Sequence, residues 1–133
     1  MILFVDTSAW LAMYDRSDQF HHKTVDGLAR IRSEGVELVT TDYIMDESLT
    51  LIRMRAHHQA AVNFGEGLLS SAAARLILID AELRQSAFEL FKKFSDKDLS
   101  FTDCTSFALM KRMKLKTAFT FDDHFRQVGF DIW

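Results

Sequence analysis

The sequence predicts an α/β fold, a mainly parallel sheet of four to five strands covered on both sides by helices. Short unbroken apolar runs such as Ile2 to Val5 fit strands buried on both faces. Between these runs, apolar residues recur at steps of three and four, the alternation that builds parallel sheets. No repeat, linker or low-complexity tract interrupts the pattern, so residues 1–133 are expected to form a single domain.

Taken in order, the first strand is Ile2 to Val5, stopped by Asp6. Thr7 and Ser8 can cap a helix over Ala9 to Tyr14, and Asp15 to Asp18 forms the turn that ends it. Phe20, Val25, Leu28 and Ile31 predict a helix with a core-facing stripe to Glu34, closed by Gly35. His21 and His22 read as solvated helix-start residues. Val36 to Thr40 reads as the second strand, and Thr41 or Asp42 caps a helix to about His58. Its inward stripe is Ile44, Ser48, Leu51, Ile52 and Arg55. Glu47 falls within that stripe, where a carboxylate is costly to desolvate unless something compensates it. Asp46 lies off the stripe and should be solvated.

Ala60, Ala61, Phe64 and Leu68 give the next helix, to about Leu69, an apolar face. Arg75 to Ile79 is the third strand, and Asp80 caps a helix to Phe94. The expected buried face of that helix is Ala87, Phe88, Phe91 and Phe94. Ser95 to Asp98 is a charged loop. Ser100 or Thr102 then caps a helix with Asp103 in its first turn, facing the same way as Phe107 and Met110. Thr117 to Phe121 is the fourth strand, with Asp122 following it as Asp6 follows the first. Asp123 is adjacent, and a shift of one residue would exchange the two. Gly129 breaks a last turn, and Phe130 to Trp133 can add an edge strand.

The bulk numbers exclude several classes. At 133 residues the chain can bury roughly two-thirds of its unfolded surface. A hydrophobic fraction of 48% and a charged fraction of 26% are ordinary for a globular protein. The net charge of -3 gives no general attraction to nucleic acid, although a bound cation can override the total locally. One cysteine, Cys104, allows neither an internal disulfide nor a Cys-based zinc site. No basic-then-apolar leader and no membrane-length apolar run is present, so the expected location is cytoplasmic, without membrane association.

In a parallel sheet, all strand carboxyl ends and the following helix N-termini lie on one edge. Asp6, Asp103 and Asp122 each occupy such a junction, and Glu47 sits about one turn inside its helix. If they converge, each like-charge pair costs on the order of 4 kcal/mol at 4 Å in a surface-like dielectric. Protonation or a bound cation relieves that cost. An acid-only set suits Mg²⁺ or Mn²⁺ rather than zinc, because no His or Cys stands beside it at ligand spacing. A hard cation with waters left on it is the equipment for phosphodiester hydrolysis.

Four segments in order carry a family resemblance. They are Val5-Asp6-Thr7-Ser8, the mid-chain Glu47, Leu99-Ser100-Phe101-Thr102-Asp103 and Phe119-Thr120-Phe121-Asp122-Asp123-His124-Phe125. Together they resemble the PIN-domain ribonucleases, most closely the VapC-type toxins of type II toxin–antitoxin modules. The resemblance implies a three-layer α/β/α sandwich and Mg²⁺- or Mn²⁺-dependent endonucleolytic cleavage of RNA. It implies Asp6 and Asp103 as the main metal ligands, and Glu47 and Asp122 as the other two acids, which bind metal or orient the nucleophile. Ser8 and Thr102 match hydroxyls that support such a site. A homodimer and a cognate antitoxin are implied as partners.

Other readings compete with this one. A catalytically silent PIN-like binding module would keep the same acids. A flavodoxin-like phospho-accepting domain would use Asp80, but no lysine follows the fourth strand. An aspartyl phosphatase wants a second acid at position 8, which is Ser8. Cys104 as a nucleophile lacks a histidine placed to activate it.

Overall fold

A computed structural model describes all of residues 1–133. Five strands form one sheet in the order β3-β2-β1-β4-β5, and every pairing is parallel. The strands are β1 Ile2–Val5, β2 Glu37–Thr41, β3 Arg75–Ile77, β4 Thr117–Phe119 and β5 Asp131–Ile132. The helices are α1 Thr7–Tyr14, α2 His21–Glu34, α3 Asp42–Arg55, α4 His58–Leu69, α5 Ala81–Lys93, α6 Phe101–Arg112 and α7 His124–Gln127. This is the expected α/β/α sandwich, with both faces of the sheet covered.

The central strand shows why the apolar run is unbroken. Leu3, Phe4 and Val5 are all fully buried, which an alternating strand with one wet face would not allow. Phe4 packs against Phe125, which meets Phe107 of α6 edge-on at 5.0 Å. Trp10 of α1 packs against Phe64 of α4 at 5.3 Å. Each such ring contributes roughly 2–3 kcal/mol by leaving water. The Trp10 indole donates to Thr40 Oγ1, which in turn donates to the Val5 carbonyl, so α1 is pinned across β1 and β2.

Capping sets the helix starts, and one differs from expectation. Asp6 itself caps α1, so the helix begins at Thr7 instead of Ala9. Thr41 caps α3 by accepting from the Ile44 N–H, and Asp80 caps α5 by accepting from Leu83. Ser100, not Thr102, caps α6, and it forms a reciprocal capping box with Asp103. Gly35 closes α2 in the left-handed conformation at φ 65°, which glycine adopts at no steric cost.

Three packing expectations and one strand boundary are corrected. Val25 is exposed, because α2 turns Thr24 and Ile31 inward. Arg55 is exposed at the end of α3, whereas Ile44, Ser48 and Ile52 of the same stripe are buried. Phe88 and Phe91 are exposed, because the buried arc of α5 runs through Leu83 and Ala87, one step away from them. Finally, β4 ends at Phe119 instead of Phe121, so Thr120, and not Asp122, stands level with Asp6. No helix is long and apolar enough to cross a membrane.

Candidate metal and active site

The carboxyl ends of β1 and β4 lie side by side, with Val5 paired to Phe119 and the Asp6 N–H donating to the Phe119 carbonyl at 3.1 Å. Helix α3, which follows β2, packs against both α1 and α6. Asp6, Glu47, Asp103 and Asp122 thereby line one hollow of about 290 Å³, although they lie far apart in the chain. Asp123 points away and pairs with Arg126. Asp46 is exposed, as expected of a residue off the inward stripe. Asp80 is occupied as the cap of α5 and pairs with Arg112, and it does not line the hollow.

Three of the four acids are held on one oxygen only. Asp6 is 5% exposed, and its Oδ2 accepts from Ser8 Oγ and Thr120 Oγ1, both at 2.9 Å. Each of those hydroxyls also accepts a backbone N–H, Ser8 from Phe121 and Thr120 from Asp122. A single network therefore ties Asp6 to the loop that carries Asp122. Asp103 Oδ2 accepts the Ser100 N–H at 3.0 Å, the return half of the capping box. Asp122 Oδ1 accepts from both the His124 N–H and His124 Nδ1, each at 2.9 Å. A carboxylate can only accept, so Nδ1 carries the ring proton there. The other oxygen of each Asp accepts no hydrogen bond, and neither oxygen of Glu47 does.

The electrostatics follow from burial and mutual repulsion. Burial pushes the Asp6 carboxyl up to about 6 from its ordinary 3.8, and the Asp103 charge adds to the rise while Ser8 and Thr120 oppose it. Glu47 is raised first by burial and then by the charges of Asp6 and Asp122. Asp103 is raised by burial, with Asp122 and Glu47 adding to it. Thr7 Oγ1 is buried beside Glu47 and closes no hydrogen bond of good geometry, yet its hydroxyl eases that carboxylate's charge. Such a set is destabilising unless positive charge is brought to it.

The donor set fits a divalent cation. Ligand atoms of Asp103, Asp122 and His124 all lie within 4.8 Å of one another, with Asp6 and Glu47 in the same hollow. His124 corrects the expectation that no histidine stands beside the acids. Sequence reasoning passed over it because it begins a short turn with no helical stripe. Its Nδ1 is engaged by Asp122, and the untethered carboxylate oxygens remain the hard donors that Mg²⁺ or Mn²⁺ prefers.

Of the expected supporting hydroxyls, Ser8 is in place. Thr102 is not: its hydroxyl makes no hydrogen bond to an acid, and only its carbonyl is engaged, accepting from Thr105 and Ser106. The second hydroxyl that donates to Asp6 is that of Thr120. Cys104 is buried, and burial pushes its thiol up, which is the opposite of an activated nucleophile.

Comparison with known proteins agrees with the fold. Residues 3–131 match the family model described as PIN domain. The chain is 32% identical over 129 residues to the "23S rRNA-specific endonuclease VapC20" of Mycobacterium tuberculosis, covering 97% of this chain and 95% of that one. It is 29% identical over 137 residues to a "VapC ribonuclease" of Archaeoglobus fulgidus, covering 100% of this chain and 86% of that one. The crystal structure of the Mycobacterium tuberculosis VapC20, described as a sarcin-ricin loop cleaving toxin, superposes with a TM-score of 0.86 at 30% identity, over 98% of this chain and 96% of that one. VapBC2 from Rickettsia felis, bound to promoter DNA, shares the fold alone, with a TM-score of 0.74 at 10% identity over 100% and 98% of the two chains. A family match spanning nearly the whole chain, joined to relatives that agree in both sequence and fold, makes this protein a member of the PIN domain family.

Proposed function

We propose that the protein is a Mg²⁺- or Mn²⁺-dependent endoribonuclease, a VapC-type toxin neutralised by a cognate antitoxin, with residues 1–133 acting as one catalytic domain. The observation that carries this reading is the convergence of four acids with unengaged carboxylate oxygens in one hollow. The relatives named as endonucleases and ribonucleases support RNA as the substrate, and the VapC20 relative makes ribosomal RNA the first to try. A homodimer working in the cytoplasm is part of the same proposal.

The roles follow from how each group is held. Asp6 and Asp103 would bind the ion, their free oxygens aimed by Ser8, Thr120 and the Ser100 N–H. Asp122, steadied by His124, would complete the donor set. Glu47, whose carboxylate has only the Thr7 hydroxyl beside it and whose charge is disfavoured by burial, is suited to orient an attacking water and draw off its proton. When bound, the ion supplies a polarised water and offsets charge developing on the phosphate.

The test is RNA cleavage by purified, antitoxin-free protein with Mg²⁺ or Mn²⁺. Chelation should abolish it, and Asp6→Asn or Asp103→Asn should do so while leaving the fold intact. Cleavage that survives in both variants would place the chemistry elsewhere.

A further inference from the structure

Helix α3 does not stop at the acids. Glu47, Leu51 and Arg55, four residues apart on one face, all line the acidic hollow, and Arg55 at the helix end also lines a second hollow of about 810 Å³. One wall of this second hollow is the α3–α4 turn with Arg55 and His57, and the other is the turn after α1 with Asp15, Arg16 and Ser17. The two hollows meet at an arginine.

The lining chemistry suits a phosphate backbone. Arg16 and Arg55 are exposed and pair with no acid; Arg32, Arg53 and Arg84 are unpaired too, but only Arg16 and Arg55 line this hollow. Asp15, the one acid here, is buried, and its Oδ1 accepts both the N–H and the hydroxyl of Ser17. It is spent on shaping the turn that presents Arg16. His57 Nδ1 accepts the Ala60 N–H at 3.1 Å, so in the neutral ring the proton lies on Nε2, a donor left free for a ligand. Two unpaired guanidiniums and a free N–H donor beside the acidic hollow are the groups that hold phosphates. In a chain of net charge -3, such local placement has to supply the attraction that the total charge does not.

We propose that this second hollow is the track for the RNA strand running away from the cleaved bond, with Arg55 holding the phosphate next to the acids and Arg16 and His57 holding those beyond. The assignment rests on the nuclease reading for the position of the cleaved bond. An acidic peptide is the rival occupant. RNA is favoured because Arg55 lines both this hollow and the one that holds the acids.

The experiment measures binding of a fluorescein-labelled single-stranded RNA in Mg²⁺ by Asp103→Asn protein, in which the RNA should survive, with and without Arg16→Glu or Arg55→Glu. Each reversal should weaken binding by roughly an order of magnitude. Each lost contact should also flatten the slope of log K against log salt by about 0.7. Arg55→Lys should retain most of the affinity, since the charge is kept. In the otherwise wild-type protein, both reversals should raise KM for RNA cleavage. Binding and salt slope unchanged in both reversals, with wild-type protein still cutting RNA, would overturn the track and leave the nuclease reading standing. Weakened binding alongside a wild-type protein that cuts no RNA would sink the nuclease reading and keep the track as an RNA surface. Tighter binding of an acidic peptide than of RNA, lost in the same reversals, would overturn the RNA assignment.

Discussion

Thr120 donates its hydroxyl proton to Asp6 Oδ2 at 2.9 Å, across a sequence separation of 114, and accepts the Asp122 N–H at 3.0 Å. One side chain thus fixes two of the four acids. Thr120→Val keeps the shape and removes both bonds. It should lower metal affinity and RNA cleavage by roughly ten- to a hundredfold, the usual cost of losing a group that orients metal ligands. Thr120→Ser should restore most of the loss. Metal titration of the two variants, followed by calorimetry, checks this, and equal affinities would show that Thr120 only fills space.

Without metal, Asp6 should be a stability liability. Its carboxyl is raised from 3.8 to about 6, so ionising it is harder in the folded protein than in the unfolded chain. Stability is then lost as pH rises from about 4 and is fully lost above about 6. The full cost is about 3 kcal/mol as an upper figure. Asp6→Asn can still accept from Ser8 and Thr120, and should melt at higher temperature than wild type at neutral pH in chelator. The difference should vanish near pH 4. Adding Mg²⁺ should stabilise wild type and leave Asp6→Asn nearly unmoved. Parallel melting curves across that pH range would disprove the account.

Asp80 shows the opposite sign. The Leu83 N–H first, and then Arg112, hold its carboxyl below the usual range. Its contribution is present above its ordinary 3.8 and disappears as pH falls through the lower folded value. Asp80→Ala should therefore lower the melting temperature at neutral pH and do little in strong acid, with RNA cleavage unaffected at temperatures where the protein is folded. A drop in melting temperature that persists undiminished at low pH would mean that packing, not charge, is responsible.

The parts of the molecule legible in the sequence are those set by neighbours along the chain. Ile2–Val5 as a buried strand, Gly35 as a helix stop and Asp80 as a cap each follow from a few consecutive residues. Asp6, Glu47, Asp103 and Asp122 were visible because acids at strand ends and on an inward stripe demand an explanation. The contribution of Thr120 was not visible, since it depends on the β1–β4 register that sets Phe119 against Val5. Nor was that of His124, whose ring turns back on a residue two places earlier. Phe88 and Phe91 misled because apolar residues at helical spacing mark a face but not its phase, and α5 buries the neighbouring arc.

Gly27, in the middle of α2, is a close-packing site that connects the fold to the hollow. A Cβ there would lie 3.0 Å from the Phe119 ring and 3.2 Å from Trp133. Phe119 has little room to yield, since it abuts Trp133 at 5.3 Å and Phe121 at 6.1 Å. Phe121 in turn stacks on Phe20 at 4.3 Å, and both rings line the acidic hollow. Alanine in a helix interior gains up to about 1 kcal/mol over glycine, but overpacking costs about 1–3 kcal/mol. Gly27→Ala should therefore destabilise the protein by about 1 kcal/mol and shift the Phe121 ring resonances. Gly67→Ala is the control, because its Cβ would make only ordinary contact, 3.4 Å from Ala73. That variant should be neutral or more stable. Denaturant unfolding of both variants decides the matter: equal stabilisation by the two substitutions would mean that the aromatic cluster gives way freely and does not brace the wall of the site.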